Sequence, residues 1–540
     1  MDALSQQSSQ SWLTWFLRGL LIVGFLILFV KLFEIQIIKG DYYRILSQEN
    51  RIRHIPIPAP RGQIFARGGE VLAGNIEIRK RIKFNKTGAP EITDDLIGAT
   101  PEEIIKDYRR DYPLGSAFGH GTGYLAQTQA NEVGTIDPNC PDKGPRILGD
   151  LIGKTGLEEE YQCELEGIPG EELIEVNTRG EKIRTLGTRA PIPGQNIKTT
   201  IDYGLQKEVA QDMQGNKGAA VITDPTGQIL AFYSEPSFDS NLLVNKNDPK
   251  AVSALLTDTD LPFFNRVVSG TFHPGSVFKP VVSLAALEEG AIDKNFLYND
   301  TGVITVNKFT YSNWYFSEFG RTEGEIGLTR AIARSTDTFF YKVGELTGPD
   351  NIAKWADAFG LNKPTGIDIP GETYGLIPTT DWKKKEIKES WFLGDTYHMA
   401  IGQGYVAITP VEENTYITAI ANGGKLCEPR FNQNIPVICK NTNVSQKNLD
   451  LVKIGMQEAC QSGGTAYTFF DFPTKHNGQT IACKTGTAEV MSDGTPHAWF
   501  VLFTPIENPQ LVATILVEHG GQGSQVAGPI ARKIMDYYFH

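Results

Sequence analysis

Hydrophobic residues are most concentrated at positions 12–38, which read WLTWFLRGLLIVGFLILFVKLFEIQII. The stretch without charge, Gly19 to Val30, has the length of a signal-peptide core and is short for a complete span, which takes about 20 residues. No small-residue cleavage site follows it, because the chain continues as Lys31-Leu32-Phe33-Glu34. The pattern therefore predicts an uncleaved membrane anchor at 12–38 behind a cytoplasmic tail, residues 1–11, rather than a buried helix of a soluble protein.

Beyond residue 200 the pattern alternates between strand-like and helical segments. Two apolar runs, 219–223 and 228–232, flank the turn signal Asp224-Pro225-Thr226-Gly227 and predict a hairpin. Further strands are predicted at 480–490, 497–504 and 511–518, and helices at 202–213, 277–289, 326–359 and 529–535. Because strands lie at both ends and helices between them, we predict an α+β fold, with one five-stranded, mainly antiparallel sheet flanked by helices.

The segment between the anchor and this sheet has a different composition. Pro56, Pro58 and Pro60 favour an extended backbone and remove strand donors, so they predict a spacer. Thr100-Pro101-Glu102-Glu103 has the signals of a helix start. We see no catalytic constellation here, and we predict a supporting pedestal domain at 39–195 followed by the main domain at 196–540.

Charge and composition narrow the classes of function. The chain has 540 residues and a net charge of -12, whereas nucleic-acid-binding proteins are normally basic, so nucleic acid is not an expected partner. Its eight histidines and six cysteines show no H-x-x-x-H or C-x-x-C spacing, so no metal site is expected.

The even number of cysteines fits an oxidising compartment. Cys427 with Cys439 and Cys140 with Cys163 are candidate pairs, although the sequence does not settle the pairing. Cys483 lies beside Lys484 and is either a thiol nucleophile or a small buried residue on a strand. The second interpretation is favoured, because no histidine lies close to it in sequence.

Three short strings, far apart in the chain, have the order of a single active site. They are Ser276-Val277-Phe278-Lys279, Ser335-Thr336-Asp337 and Lys484-Thr485-Gly486-Thr487. Each string alone occurs by chance, but the ordered set S-x-x-K, S-x-[ND] and K-T-G is typical of serine acyltransferases. The set predicts a serine that attacks an acyl group after a lysine activates it.

The first string supplies a nucleophile and a base. Ser276 follows Pro274-Gly275 and precedes an apolar run, so it is expected at a helix N-terminus, where Lys279 at i+3 lies beside its hydroxyl. A lysine acts as a base only when burial or a second cation lowers its pKa. Lys484 is predicted to be that cation and to lower the pKa of Lys279.

The other two strings complete the predicted cleft. Ser335 is expected to pass a proton between Lys279 and a leaving amine, with Asp337 beside it. Lys484 lies on a predicted strand, and Gly486 is expected to leave room for a substrate backbone along that strand.

Longer runs around these strings resemble the class B penicillin-binding proteins, the peptidoglycan D,D-transpeptidases. The runs are H-P-G-S-V-F-K-P at 273–280, I-G-Q-G-Y at 401–405 and K-T-G-T-A at 484–488. Upstream, R-G-Q-I at 61–64 and G-L-E at 156–158 are similar to the membrane-proximal pedestal of the family.

Within the family, the resemblance is closest to the cell-elongation subfamily, penicillin-binding protein 2. It depends on W-F-L-G-D-T at 391–396, on Asp337, where septal relatives usually have Asn, and on H-A-W-F at 497–500. Two places depart from the family pattern: Ala66 stands where the pedestal motif normally has Asp, and Val411-Glu412-Glu413 replaces P-L-Q.

The resemblance implies a reaction and a role for each residue. Ser276 would attack the carbonyl between two D-alanines of a stem peptide, expel the last one and pass the acyl group to an amine of a neighbouring strand. The backbone N–H groups of Ser276 and Thr487 would form the oxyanion hole, and Lys484, Thr485 and Thr487 would hold the substrate carboxylate. β-Lactams would acylate Ser276, and no cofactor is implied.

The resemblance also implies a location and a partner. Because residues 1–17 contain no Lys or Arg while four basic residues follow the anchor, the positive-inside rule favours a cytoplasmic main domain. The resemblance implies the opposite, an extracytoplasmic catalytic domain on a single-pass anchor in the bacterial plasma membrane, because wall precursors lie outside. The implied partner is a polytopic glycan-polymerising membrane protein of the elongation complex.

Two other classes share the three strings. One is a membrane-anchored penicillin-sensing receptor, which would normally carry an H-E-x-x-H motif that is not found in this sequence. The other is a serine β-lactamase-like hydrolase, which would not carry an anchor and a pedestal. The lifetime of a penicillin adduct separates the hydrolase from the other classes.

Overall fold

The computed structural model describes residues 12–49, 51–85, 90–177, 181–245, 248–490 and 494–540, so the predicted tail, 1–11, lies outside the described residues. The chain forms two compact units. The first is built from the chain up to Pro60 with 77–108 and 167–193, and the second from 61–76, 109–166 and 194–540. The predicted domain limits at 39–195 and 196–540 stay a prediction.

The first unit begins with the apolar helix. An α-helix, Trp12–Phe33, continues as a π-helix, Glu34–Ile38, and a second α-helix follows at Gly40–Glu49. By length and composition, Trp12–Ile38 is long and apolar enough to cross a membrane, and none of this window is buried in protein. The predicted anchor is therefore one continuous helix with no buried residue, which fits a lipid-facing segment.

Small β-sheets make up the rest of the first unit. Ile52–Ile57 pairs with Gly170–Val176, which pairs with Lys182–Arg189, all antiparallel. The spacer prediction is wrong at Pro56, which lies in the first of these strands opposite Glu171; this strand is at the edge of the sheet, where a missing N–H is tolerated. The helix predicted at Thr100 is a single 3₁₀ turn, Pro101–Glu103, before a strand, Ile104–Asp111. The strand Pro90–Thr93 and residues 77–84 of the strand Val71–Phe84 also belong to this unit.

The N-terminal segments of the second unit surround a buried carboxylate. Glu158 is fully buried, and its two oxygens accept hydrogen bonds from Arg61 Nε and Arg110 Nε, each at 2.6 Å. Burial raises the pKa of Glu158, but the two guanidinium groups outweigh burial and hold that pKa below its ordinary value. The Arg61–Glu158 ion pair joins the two upstream runs, 61–64 and 156–158, that resemble a pedestal.

Short elements connect these segments. The strands are Ile64–Phe65, Leu125–Gln127, Leu151–Gly153 and Ile197–Lys198, the α-helices are Gly119–Thr122, Gly156–Glu160 and Gln162–Leu165, and the 3₁₀ turns are Gly115–Phe118 and Pro141–Lys143.

The main sheet has five strands in a single antiparallel arrangement. Their order across the sheet is Ile229–Glu235, Gly218–Thr223, Leu511–Val517, His497–Thr504 and Ala482–Ala488. The predicted α+β fold with a five-stranded antiparallel sheet is confirmed. At the predicted hairpin, the Asp224 carboxylate accepts hydrogen bonds from the backbone N–H groups of Thr226 and Gln228, which fixes the turn.

Helices cover both faces of this sheet. Along His497–Thr504, Trp499, Val501 and Phe503 enter one apolar core, while Ala498, Phe500 and Leu502 enter the other, as strand alternation dictates. The first core includes helix Lys279–Glu288, and the second is closed by Tyr203–Met213 and Ala527–Tyr538. The helical section predicted at 326–359 is three helices, Leu328–Arg334, Asp337–Thr347 and Pro349–Ala358, separated at Ser335-Thr336 and at Gly348.

The second unit contains further helices and strands, among them the fully buried helix Pro410–Ala421. The α-helices are Ser240–Asn245, Pro249–Thr257, Trp314–Phe319, Thr380–Trp382, Leu393–Ala400, Pro410–Ala421, Gln446–Ala459 and Phe472–Lys475, with a π-helix at Lys383–Ile387 and 3₁₀ turns at Gly275–Phe278 and Tyr467–Phe469. The strands are Tyr298–Asp300, Val303–Val306, Phe309–Ser312, Gly324–Ile326, Lys425–Cys427 and Cys439–Asn441.

All six cysteines form disulfides. The pairs are Cys140–Cys163, Cys427–Cys439 and Cys460–Cys483. Cys483 is buried on a strand as expected, but it is not a free thiol, since its side chain enters the sheet face opposite Lys484 and is bonded to Cys460 at the end of helix Gln446–Ala459. A thiol nucleophile beside Lys484 is thereby ruled out.

Candidate active site

Ser276 lies in a tight turn, which we call the nucleophile turn, formed by the 3₁₀ helix Gly275–Phe278. Pro280 has no N–H for the Ser276 carbonyl, and the N–H of Lys279 bonds to that carbonyl instead, so the first turn is 3₁₀ before helix Lys279–Glu288 begins. Gly275 has a φ of 57°, and a Cβ there would lie 2.7 Å from the carbonyl oxygen of Thr487. The turn therefore requires glycine, and Ser276 is half-buried at its surface.

Two further contacts hold the nucleophile turn in place. The Gly275 N–H donates to the Gly402 carbonyl at 2.9 Å, and the Tyr416 hydroxyl donates to the Val277 carbonyl. Gly402 belongs to the run 401–405. The contact shows that this run supports the nucleophile turn, a role that its sequence alone does not indicate.

Lys279 is fully buried one residue beyond the turn. Its Nζ donates to the Ser335 carbonyl at 2.8 Å, to Ser335 Oγ at 3.1 Å and to Asp337 Oδ1 at 2.7 Å. Burial lowers the pKa of Lys279, while the negative charge and hydrogen bond of Asp337 act in the opposite direction. The Lys279 amine therefore has an anionic partner, Asp337, while its burial favours the neutral form.

Lys484 approaches the same hydroxyl from the other side. Its Nζ donates to Ser335 Oγ at 2.9 Å and to the Thr485 carbonyl at 2.9 Å, and its side chain is fully buried. Burial and then the nearby charge of Lys279 lower the pKa of Lys484 well below its ordinary value. The like-charge effect predicted for Lys279 therefore falls on the other lysine, since it depresses the pKa of Lys484 rather than that of Lys279.

Ser335 is the junction of the site. It ends helix Leu328–Arg334 with φ 55° and ψ 38°, a left-handed backbone conformation that is rare for a residue with a Cβ. The left-handed turn breaks the predicted long helix and turns the Ser335 carbonyl toward Lys279, while Asp337 begins the next helix.

The strand that carries Lys484, Ala482–Ala488, is the edge strand of the main sheet, and we call it the KTG strand. Thr485 Oγ1 donates to Thr465 Oγ1 at 2.8 Å, and Thr487 Oγ1 accepts from the Gly523 N–H at 3.4 Å. A Cβ at Gly486 would lie 3.0 Å from the Pro274 carbonyl oxygen and 2.9 Å from Trp499 Cβ. The room that Gly486 was expected to leave for a substrate is filled by protein, so this glycine lets the strand approach the nucleophile turn.

The structure therefore brings Lys279, Ser335, Asp337 and Lys484 into one hydrogen-bonded group, with Ser276 on the adjoining turn and Thr485, Gly486 and Thr487 on the adjoining strand. Sequence reasoning missed Thr465, which bonds to Thr485. It also missed the pair Asn313-Trp314: the Asn313 side chain accepts the Asp337 N–H, and the Trp314 N–H donates to the Asp337 carboxylate. Asn313 comes before an aromatic run, a helix-start signal that would have located it but not its contact.

One group of possible metal ligands lies elsewhere among the described residues. Asp137, Cys140 and Cys163 have ligand atoms within 4.8 Å of one another. The two sulfur atoms are bonded to each other, so neither is the thiolate that a metal needs.

The folded chain matches known protein domains over most of its length. The penicillin binding protein transpeptidase domain matches residues 218–536, and the penicillin-binding protein dimerisation domain matches residues 90–199. The chain therefore belongs to the penicillin-binding protein transpeptidase family, in its class B, as the sequence resemblance implied.

Individual relatives point to one subfamily. Peptidoglycan D,D-transpeptidase MrdA of Haemophilus influenzae is 31% identical, with 97% of this chain and 91% of that protein covered. Penicillin-binding protein 2 of Helicobacter pylori, solved in complex with MreC, has 27% identity and a TM-score of 0.77 over 90% of this chain and 98% of that one. A chain in a solved peptidoglycan synthase complex has 28% identity and a TM-score of 0.76 over 97% of both chains. These relatives confirm the resemblance to penicillin-binding protein 2.

Proposed function

We propose that the protein is a peptidoglycan D,D-transpeptidase that cross-links stem peptides ending in D-Ala-D-Ala during cell elongation. One observation carries the proposal: Ser335 Oγ accepts hydrogen bonds from both Lys279 and Lys484, beside the turn that presents Ser276. A hydroxyl between two buried amines is a route for protons between a nucleophile and a leaving group.

In the proposed acylation, Ser276 Oγ attacks the carbonyl carbon between the two D-alanines and its proton passes to neutral Lys279. The backbone N–H groups of Ser276 and Thr487 stabilise the oxyanion. When the amide C–N bond breaks, a proton reaches the departing D-alanine amine through Ser335. Burial of Lys279 supports this step, because burial makes the neutral amine accessible.

In the second half of the reaction an amine from a neighbouring stem peptide attacks the ester. A C–N bond forms, the Ser276 C–O bond breaks and the proton from the amine returns to Ser276 Oγ through Ser335 and Lys279. Lys484, Thr485 and Thr487 would bind the terminal carboxylate of the substrate. Its negative charge suits the buried amine of Lys484, which has no carboxylate within ion-pair distance in the part of the chain that the structure describes. β-Lactams would acylate Ser276 in the same geometry.

We place the catalytic domain on the extracytoplasmic side of the bacterial plasma membrane. The three disulfides support this side, because such bonds persist in oxidising compartments. The proposed architecture is a cytoplasmic tail, 1–11, a single-pass anchor, 12–38, a pedestal, 39–195, and a transpeptidase domain, 196–540. The proposed partner is a polytopic glycan-polymerising membrane protein, since one relative was solved in a peptidoglycan synthase complex.

The test is fluorescent penicillin labelling of the full-length protein in detergent. We expect a long-lived adduct on wild-type protein and on Ser283→Ala, a control serine buried in the helix after the nucleophile turn, and no adduct on Ser276→Ala. An adduct that turns over within seconds would identify a hydrolase instead.

A second measurement separates an enzyme from a receptor. The wild-type protein, supplied with a pentapeptide ending in D-Ala-D-Ala and an acceptor amine, is expected to release D-alanine and form the cross-linked product. Stable penicillin labelling without D-alanine release would favour the receptor. Protease added to spheroplasts is expected to degrade the catalytic domain, and full protection would contradict the extracytoplasmic placement.

A further inference from the structure

A buried carboxylate lies behind the active site and takes no part in the proposed reaction. Asp300 is 1% exposed at the end of the short strand Tyr298–Asp300, and its two oxygens accept four hydrogen bonds. The donors are Thr338 Oγ1 at 2.7 Å, Gly302 N at 2.9 Å, Asn313 Nδ2 at 3.1 Å and Glu323 N at 2.9 Å. Gly302 belongs to the same loop as Asp300, and the other three donors come from three separate segments, so this one side chain links three segments to its own.

Two of these segments reach the catalytic group. Asn313 is fully buried, and its Oδ1 accepts the backbone N–H of Asp337 at 3.1 Å. The next residue, Trp314, donates its backbone N–H to Asp337 Oδ2 at 3.1 Å and its indole N–H to the Arg334 carbonyl at 2.9 Å. The pair Asn313-Trp314 therefore bonds to the chain on both sides of Ser335.

The side chain of Asn313 is used in an unusual way. An asparagine just before a helix normally accepts a backbone N–H of its own helix, but Asn313 makes no such cap to helix Trp314–Phe319. Its amide instead bonds Asp300 on one side and Asp337 on the other. The local helix therefore lacks a side-chain cap, because the asparagine that could supply it bonds to the catalytic turn.

Ser335 needs such support because of its backbone. A left-handed residue with a Cβ costs about 1–2 kcal/mol and persists only where the surroundings impose it. The contacts from Asn313 and Trp314 hold Arg334 on one side of Ser335 and Asp337 on the other. Thr338, bonded to Asp300, holds the first turn of the helix that follows.

We propose that Asp300 and Asn313 are positioning residues, which hold Ser335 between the two lysines and keep Asp337 on Lys279 without touching substrate. The inference rests on the proposed function, since it assigns these residues to the same reaction. Loss of the Asp300 carboxylate would loosen residues 334–338 while leaving the KTG strand, which binds the substrate, unchanged.

The test is the Asp300→Asn variant of the full-length protein, assayed for the kinetics of fluorescent penicillin acylation. An amide has one accepting oxygen where the carboxylate has two, so the shape is kept while an NH2 group faces either Gly302 N or both Asn313 Nδ2 and Glu323 N, which lose their acceptor. We expect the maximal acylation rate constant to fall about 10²-fold, as small misplacements of catalytic groups do, with less than about a threefold change in the half-saturating concentration.

Asp224→Asn is the matched control. Asp224 also accepts several turn hydrogen bonds, at 2.8 to 3.0 Å, but it lies in the hairpin between strands Gly218–Thr223 and Ile229–Glu235. It is expected to lose thermal stability and keep the wild-type acylation rate constant. Equal losses of rate in the two variants, or a wild-type rate in Asp300→Asn, would overturn the positioning role.

Two more variants guard against a folding defect. Thr338→Val removes only one of the four donors and is expected to slow acylation a few-fold at near-normal stability. The exchange Asp300→Asn with Asn313→Asp restores a donor facing an acceptor and keeps an acceptor for the Asp337 N–H, so it is expected to recover part of the rate. No recovery together with a normal rate in Thr338→Val would refute the proposal. Failure of wild-type protein to label at Ser276 would instead refute the proposed function.

Discussion

The surroundings of the two active-site lysines differ although the lysines share a hydrogen-bond partner. Lys279 and Lys484 are both fully buried and both donate to Ser335 Oγ. Lys279 also bonds to a carboxylate, Asp337, whereas Lys484 has no carboxylate within ion-pair distance among the described residues. The pKa of Lys484 is accordingly the more strongly lowered of the two.

This difference teaches how one pair of identical side chains can do two tasks. Asp337 would balance the charge that forms on Lys279 when this amine accepts the proton of Ser276. Lys484 has no carboxylate partner among the described residues, and the substrate carboxylate would supply one. We therefore expect substrate binding to raise the pKa of Lys484 and leave Lys279 paired with Asp337.

The largest expected effect comes from removing the proposed base. Lys279→Met keeps an unbranched side chain, one atom shorter, and removes the amine, so the acylation rate constant is expected to fall about 10³- to 10⁴-fold. Stopped-flow or gel-based penicillin acylation measures it. Lys453→Met, at a half-buried lysine whose Nζ bonds to the Ala421 carbonyl, is the control and should acylate normally. Acylation within tenfold of wild type in Lys279→Met would assign the base elsewhere.

Removing the amine of Lys484 should weaken the binding of the penicillin carboxylate and leave the proposed base, Lys279, in place. In Lys484→Met the half-saturating concentration of a carboxylate-bearing penicillin is expected to rise about 10- to 100-fold, the worth of a hydrogen bond to a charged group. A penicillin methyl ester should lose little, since it has no carboxylate to bind. Equal losses for the acid and the ester would argue against a carboxylate site at Lys484.

The same variant tests the lowered pKa through stability. Between the lowered pKa of folded Lys484 and its ordinary value of 10.5, the unfolded chain binds more protons than the folded chain. Wild-type stability therefore rises with pH in that window relative to Lys484→Met, which lacks this titrating group. Melting temperatures of both proteins from neutral to alkaline pH check the sign, and parallel curves would contradict a depressed pKa.

A smaller effect is expected from making the two lysines more alike. Asp337→Asn removes the charge that opposes the burial-driven lowering of the Lys279 pKa, so that pKa should fall further. The acid limb of the acylation rate should move to lower pH, with a change of no more than about tenfold at the optimum. A limb that stays in place or moves to higher pH would show that Lys279 does not set it.

The smallest effect is expected from the disulfide on the Lys484 side. Removing Cys460–Cys483 with two Cys→Ala changes should lower the free energy of unfolding by about 3 kcal/mol and slow acylation a few-fold, because Cys483 precedes Lys484 on the KTG strand. The matched removal of Cys427–Cys439 should cost comparable stability and leave acylation unchanged. A slower rate in both variants would attribute the effect to general loosening.

The sequence predicted the parts of the molecule that local patterns encode. The apolar run indicated the helix Trp12–Ile38, alternation and turn residues indicated the five strands, and the ordered strings located every side chain now bonded around Ser335. These features depend on short windows or on fixed chemistry, so one chain is enough to show them.

Contacts between distant segments could not be predicted in the same way. Nothing in the sequence marks Asp300, and Asn313 carries only a helix-start signal; only folding brings Asn313 to both Asp300 and Asp337. Cys483 forms a disulfide with Cys460, which lies 23 positions away in sequence. Gly486 packs against the nucleophile turn, where the sequence predicted room for a substrate. The break at Ser335 was missed for a different reason: the apolar pattern continues through it, and no glycine or proline marks the turn.

The left-handed backbone of Ser335 has a consequence for drug escape. Glycine, asparagine and aspartate tolerate that conformation most readily, yet none of them carries a hydroxyl, and threonine, which does, is β-branched and poorly tolerated there. Few residues can therefore replace serine at position 335 under antibiotic selection. We expect resistance in a cell that depends on this protein to arise through changes at the rim of the cleft or through its abundance, while position 335 stays serine.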